Sequence, residues 1–203
     1  MIKTISQSFT ITAIILIVVF SFSFSYGFAY FDKLSIDSQN KQVSIGFWEQ
    51  PEPADLNFTL VNNSFYSVSM GLNNTASTVI IPETFNGLPV SEISSTFLDG
   101  YDEVTELIIL ADIPVLDSQE FRNSLSLEII SFYYEVTQLG NQVFRNTPNA
   151  IELYLYGNTS VVPSTHNLAF RDSSLQNVHV PSNMVSAFES NSSFSSFNII
   201  PID

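Results

Sequence analysis

The chain has no cysteine. That excludes disulfides, thiolate chemistry and cysteine-bound zinc. Histidine is nearly absent too, with only His166 and His179, so a Ser/His/Asp triad or a multi-histidine metal site has almost nothing to draw on. Positive charge is scarce: 6 Lys and Arg stand against 20 Asp and Glu, a formal net charge of −14 over 203 residues. Such a surface repels a phosphate backbone and argues against nucleic-acid binding. What is abundant is core-forming material, with 18 Phe, 8 Tyr and many Ile and Val. That composition folds rather than remaining disordered.

The first residues stand apart. Lys3 precedes an apolar stretch that is almost pure Ile, Leu, Val and Phe from Ile11 to Phe20 and continues to about Phe24. A run of this length enters a membrane at least transiently. Gly27 and Ala29 supply small residues at the −3 and −1 places of a cut after Ala29. Two readings stay open: a cleaved signal peptide, or an uncleaved anchor formed by an N-terminal hydrophobic helix. Both export residues 30–203, and Lys3 agrees with the positive-inside rule. The junction Ala29-Tyr30-Phe31-Asp32, followed by Val43 to Trp48, resembles the export signals of bacterial biofilm-fibre and camelysin-type proteins. The rest of the chain does not resemble those proteins, so the resemblance implies export only. With no sorting signal, lipidated cysteine or C-terminal span to read, a cleaved product is expected to be released or held non-covalently.

Five segments share one pattern, with apolar residues at positions 0, +3 and +5: Ala76, Val79, Ile81; Val104, Leu107, Ile109; Leu127, Ile130, Phe132; Ala150, Leu153, Leu155; and Leu175, Val178, Val180. Their starts lie 28, 23, 23 and 25 residues apart, within the leucine-rich-repeat range. A phenylalanine (Phe97, Phe121, Phe144, Phe170) precedes each following start by 7, 6, 6 and 5 residues. Leu116 and Leu139 stand five places before their Phe and Ile93 four before Phe97, while the fourth unit has no clear equivalent. Positions +3 and +5 point to one side of a strand. Strand, return and Phe therefore predict a solenoid whose stacked coils bury what one coil cannot. Five strands of a β-sandwich are the competing reading, but sandwich strands recur every 8 to 12 residues.

On these residues the chain resembles BspA-type leucine-rich repeats: Ile81-Pro82, Gly87-Leu88-Pro89-Val90, Ile93 and Phe97 match the family's strand, turn and Phe. Residues Leu56 to Gly71, alternating around Asn62-Asn63, resemble its leading hairpin. Val180-Pro181, Val185, Phe188, Phe194 and Phe197 resemble its C-terminal end. The expected fold is a β-rich leucine-rich-repeat solenoid of short parallel strands with few helices. The expected segments are 1–29 (signal or anchor), 30–55 (extended polar linker), 56–181 (hairpin and repeats) and 182–203 (cap). Proline closes only the first and fifth copies, at Pro82 and Pro181, which suits strands near the ends of a stack.

Positions +2, +4 and +6 should face outward. In the middle units they place Ile108, Leu110, Tyr133, Tyr154 and Tyr156 together, flanked by Glu106 and Glu152, as a candidate binding strip. Simple β-propensity explains the same residues. The carboxylate groups Asp99 with Asp102 and Glu103, and Asp112 with Asp117, lack a base, nucleophile or metal ligand at a telling spacing, and read as solvated loop charges. A Ca²⁺ loop near Asp99 lacks the EF-hand order. His166 and His179 read as surface residues. Asn57, Asn62, Asn73, Asn158 and Asn191 begin Asn-x-Ser/Thr sequons. The expectation is a non-enzymatic protein without cofactor or metal, touching the membrane through its N-terminal segment during export. The family resemblance implies binding to a protein or cell-surface ligand. The alternative is a self-associating component of the cell envelope or biofilm matrix.

Overall fold

The computed structural model describes residues 54–202, together with strands at 34–37 and 42–45. It divides into two compact units, residues 1–49 and 50–203. In the first, β1 (Leu34–Asp37) and β2 (Gln42–Ile45) pair antiparallel, within the span expected as a linker. The N-terminal hydrophobic helix and the cut after Ala29 lie outside the described residues.

The second unit begins with the hairpin read from the sequence: β3 (Leu56–Val61) pairs antiparallel with β4 (Phe65–Met70). Its turn places Asn62 and Asn63 at φ 49° and 56°, a left-handed conformation that asparagine tolerates better than most residues. Strand β5 (Thr78–Ile81) opens the first coil, and β6 (Thr84–Phe85) and β7 (Leu88–Ile93) follow, with β7 lying parallel to β4. Three coils then contribute a front strand and a back strand each: β8 (Glu106–Ile109) and β9 (Val115–Ser118), β10 (Ile129–Phe132) and β11 (Gln138–Asn141), β12 (Glu152–Leu155) and β13 (Ser164–Thr165). After β14 (Asn177–Pro181) come a 3₁₀ turn at Ser182–Met184, helix α1 (Val185–Glu189) and β15 (Asn198–Ile202).

The front sheet has the order β15-β14-β12-β10-β8-β5, all parallel, and the back sheet the order β13-β11-β9. Register is uniform across the front: Val79 faces Leu107, Leu107 faces Ile130, Ile130 faces Leu153 and Leu153 faces Val178. All fifteen apolar positions of the five copies are buried, and each Val, Leu, Ile or Phe among them contributes about 1.5–3 kcal/mol when fully withdrawn from water. The phenylalanines form a spine inside the coil corner. Phe121 and Phe144 stack at 5.6 Å, Phe144 and Phe170 at 5.6 Å, and the half-buried Phe170 ends edge-on against Phe197 at 5.0 Å.

Three features differ from the sequence reading. First, the fifth copy is not the last strand. β15 adds a sixth, with Ile199 opposite Val178 and Pro201 opposite Val180. In that frame position 0 is Ser196 and position +5 is Pro201, so the apolar pattern is lost although the strand forms. Pro181 thus lies on an inner strand, while the outermost carries Pro201, where a missing N–H is least costly. Second, Phe97 does not keep phase with the later phenylalanines. Positive φ at Thr96, Gln119 and Gln142, and again at Gly100, Asn123 and Asn146, aligns Leu98 with Phe121 and Phe144. Ile93 then precedes its partner by five residues, as Leu116 and Leu139 do. Third, the fourth unit does have an equivalent of Leu139, but it is Thr165, paired with it in register. No helix among the described residues is long and apolar enough to cross a membrane.

Candidate functional site

The outward positions of the front strands form three rows across the sheet. The row at +6 brings Tyr133 and Tyr156 into a stack at 4.8 Å. Tyr156, just past the end of β12, also stacks on Tyr154, two residues earlier in the chain, at 5.6 Å. Tyr154 in turn lies flat against the imidazole of His179 at 4.0 Å and 8°. The result is a continuous aromatic surface of four rings over three strands. Tyr133 is the most open of them, at 48% exposure. Tyr154, Tyr156, Ile108 and Leu110 are half-buried among their neighbours.

Glu152 anchors the surface. One carboxylate oxygen accepts from Asn177 Nδ2 at 2.6 Å, and the other meets His179 Nε2 at 2.5 Å. Burial works to raise its carboxyl, but the hydrogen bonds from His179 and Asn177, with the imidazole's charge, outweigh it and hold the group below its ordinary range. Burial pushes the Tyr154 hydroxyl up, with the Glu152 charge adding to it; burial, and then Tyr133 and Tyr154, do the same for Tyr156. Both phenols therefore stay neutral hydrogen-bonding groups. Glu106, at the same position as Glu152 two strands away, accepts from Thr78 Oγ1 at 3.1 Å.

The structure thus brings Tyr133, Tyr154, Tyr156 and Glu152 into one contiguous patch, with Ile108, Leu110 and Glu106 continuing the same rows on the preceding coil. Two expectations change. Ser131, read as outward, is 7% exposed, because a small side chain between Ile108 and Tyr154 is roofed by its neighbours. His179, read as a bland surface residue, is a member of the aromatic stack. Its position +4, the same as that of Tyr154, was the available signal.

Elsewhere, two hollows open on other faces. One of about 510 Å³ lies between the end of β7 and β9, and one of about 330 Å³ lies beside Arg171. No group of three His, Cys, Asp or Glu among the described residues is placed to hold a metal ion. Asp99 is instead the acceptor for Asn123 Nδ2. The sequon asparagine Asn158 is fully buried and bonded at both ends of its amide to the backbone of Val136, so it cannot carry a glycan in the folded chain.

A model of the BspA type leucine rich repeat region matches residues 91–202, more than half of the chain, in six copies. Repeats of this kind are generally non-enzymatic modules that bind proteins, and they are typical of surface proteins. A crystal structure of the T. pallidum leucine rich repeat protein superposes with a TM-score of 0.49 at 17% identity, covering 75% of this chain and 82% of that one. No curated protein matches the sequence.

Proposed function

The chain belongs to the BspA-type leucine-rich-repeat family, and on that premise we propose that it is an exported or cell-surface adhesion protein that binds another protein through its front sheet. The observation that carries the reading is the four-ring stack of Tyr133, Tyr156, Tyr154 and His179, pinned by Glu152. Rings already held by one another lose little freedom when a partner covers them, so the cost of ordering at an interface is small. Ile108 and Leu110 extend the patch with apolar area, and Glu106 and Glu152 rim it with negative charge. Export rests on the apolar run from Ile11 to about Phe24, either as a cleaved signal or as an N-terminal anchor helix.

Replacing Tyr133 and Tyr154 together by alanine should weaken attachment of protein-coated beads to cells or matrix while leaving thermal unfolding almost unchanged. Attachment that stays at the wild-type level would remove the patch as the binding site. Self-association is the second reading, favoured by the two open edges of the front sheet at β5 and β15. Sedimentation of the exported chain across concentration decides it, since a strict monomer rules out a matrix subunit.

A further inference from the structure

Arg122, Arg145 and Arg171 are the only Lys or Arg residues in the sequence from 54 to 203. Each directly follows a spine phenylalanine, Phe121, Phe144 or Phe170. The coils are tied together at this corner by Asn123 N–H to Arg145 O and Asn146 N–H to Arg171 O, both at 3.0 Å. The three arginines therefore sit in register on successive coils, about 4.8 Å apart, in a stripe spanning about 10 Å. Stacked like charges repel, and the surroundings relieve them incompletely. Arg122 Nη1 donates to the neutral Gln119 Oε1 at 2.7 Å. Arg145 and Arg171 share one carboxylate, Asp172, at 3.7 and 3.6 Å. Asp99 holds the same row one coil before Arg122 and accepts from Asn123 Nδ2, so three guanidinium groups less two carboxylates leave a local charge of +1 on a chain whose net charge is −14.

The stripe ends at the hollow of about 330 Å³, which Arg171 lines together with Thr165, His166, Asn167, Ser193 and Phe170. His166 Nδ1 accepts from Leu168 N–H at 3.2 Å, which leaves Nε2 as a donor. Hydroxyl, amide and imidazole groups beside a half-buried aromatic ring suit a sugar, with its polar edge and apolar face. Guanidinium forks suit planar or tetrahedral oxyanions. We propose that this corner binds a short acidic oligosaccharide, its sulfate or carboxylate groups on Arg122, Arg145 and Arg171 and one sugar ring in the hollow. The ligand is short because the stripe is short and the acidic surface beyond it repels a longer polyanion. An acidic peptide would satisfy the arginines but leave the hollow unused.

The test titrates the full chain with a fluorescent heparin tetrasaccharide, following anisotropy at about 50 and about 200 mM salt. Binding should weaken with salt and fall at least about tenfold in Arg145→Gln with Arg171→Gln. Arg171→Lys, which keeps the charge and loses the fork, should fall in between. His166→Asn with Ser193→Ala should weaken the tetrasaccharide but leave hexa-glutamate unaffected. All variants alter exposed or half-exposed side chains and should unfold at the wild-type temperature. No binding, or binding unmoved by the double arginine change, overturns the proposal. So does hexa-glutamate binding as tightly as the tetrasaccharide, which would assign the stripe to an acidic protein.

Discussion

The front sheet runs unbroken through six parallel strands, whereas the back sheet has three, one of them two residues long. Inside the first five front strands, every second residue is aliphatic or aromatic, and each row repeats the same kind of side chain from coil to coil. Inside the back, rows change character. The row that holds Phe97, Val143 and Ala169 holds Glu120 in the second coil, and the row of Leu116 and Leu139 holds Thr165 in the fourth. Asn158 is fully buried at the start of the return. A continuous ladder satisfies its own backbone, so its interior can be purely apolar. A broken ladder leaves amides and carbonyls that side chains must meet. Asn158 does so for Val136, taking its N–H at 3.0 Å and giving to its carbonyl at 2.7 Å, with a further bond to Val161 O at 3.0 Å. Glu120 does so for Asp117 and Ser118, whose N–H groups donate to one carboxylate oxygen at 2.8 and 3.0 Å.

If apolar stacking holds both sheets together, its removal has the largest effect. Phe121→Ala should lower unfolding free energy by about 3–5 kcal/mol, because Phe121 touches both the front ladder, through Phe132 at 6.4 Å, and the spine. Chemical denaturation measures it, and a loss below about 1 kcal/mol would mean that the spine is not the common support. Asn158→Ala tests the polar side of the comparison. It strands the N–H and C=O of Val136, each worth roughly 1–3 kcal/mol when buried without a partner. Hydrogen exchange at the Val136 amide should accelerate with the loss of stability; an unchanged rate would show that water replaces the asparagine.

Glu120 gives the smallest effect, and its size changes with pH. It is 5% exposed, and its second carboxylate oxygen has no hydrogen-bond partner. Burial raises its carboxyl above the ordinary range, although the Ser118 and Asp117 amides pull the other way. The folded chain then holds its proton more tightly than the unfolded chain does. Its contribution is fully present below the unfolded value of about 4.3 and is lost as pH rises through the folded one. Glu120→Gln keeps an acceptor for both amides and removes the charge. The variant should gain in melting temperature over the wild type as pH rises from about 4 to 7. Parallel curves would show that Glu120 is solvated rather than held in the interior.

The difference between the two sheets also sets what could be read without coordinates. Front positions such as Leu107, Ile130 and Leu153 were legible because a strand with one buried side has a strict period, and the coil length repeats it. The aromatic patch was legible to the same extent: alternation predicts that Tyr133, Tyr154 and Tyr156 share a face. Alternation does not predict that His179 lies flat on Tyr154, since that depends on the register between β12 and β14. The sixth strand was invisible because Ser196 and Pro201 break the pattern, yet β15 pairs over five residues. The phase of Phe97 was misread by one residue because Leu98 is just as apolar, and only the backbone angles distinguish them.

By itself the sequence determined the solenoid class, the coil length, the front interior and the acidic character, since these follow from periodicity and composition. Tertiary structure alone decided where the coils stop, which polar residues go inside and which distant side chains meet. The ring stack from Tyr133 to His179 and the single carboxylate shared by Arg145 and Arg171 join residues brought together by the turn of a coil. Such meetings depend on inter-strand register and corner geometry to within a residue, and no local pattern in the chain encodes that.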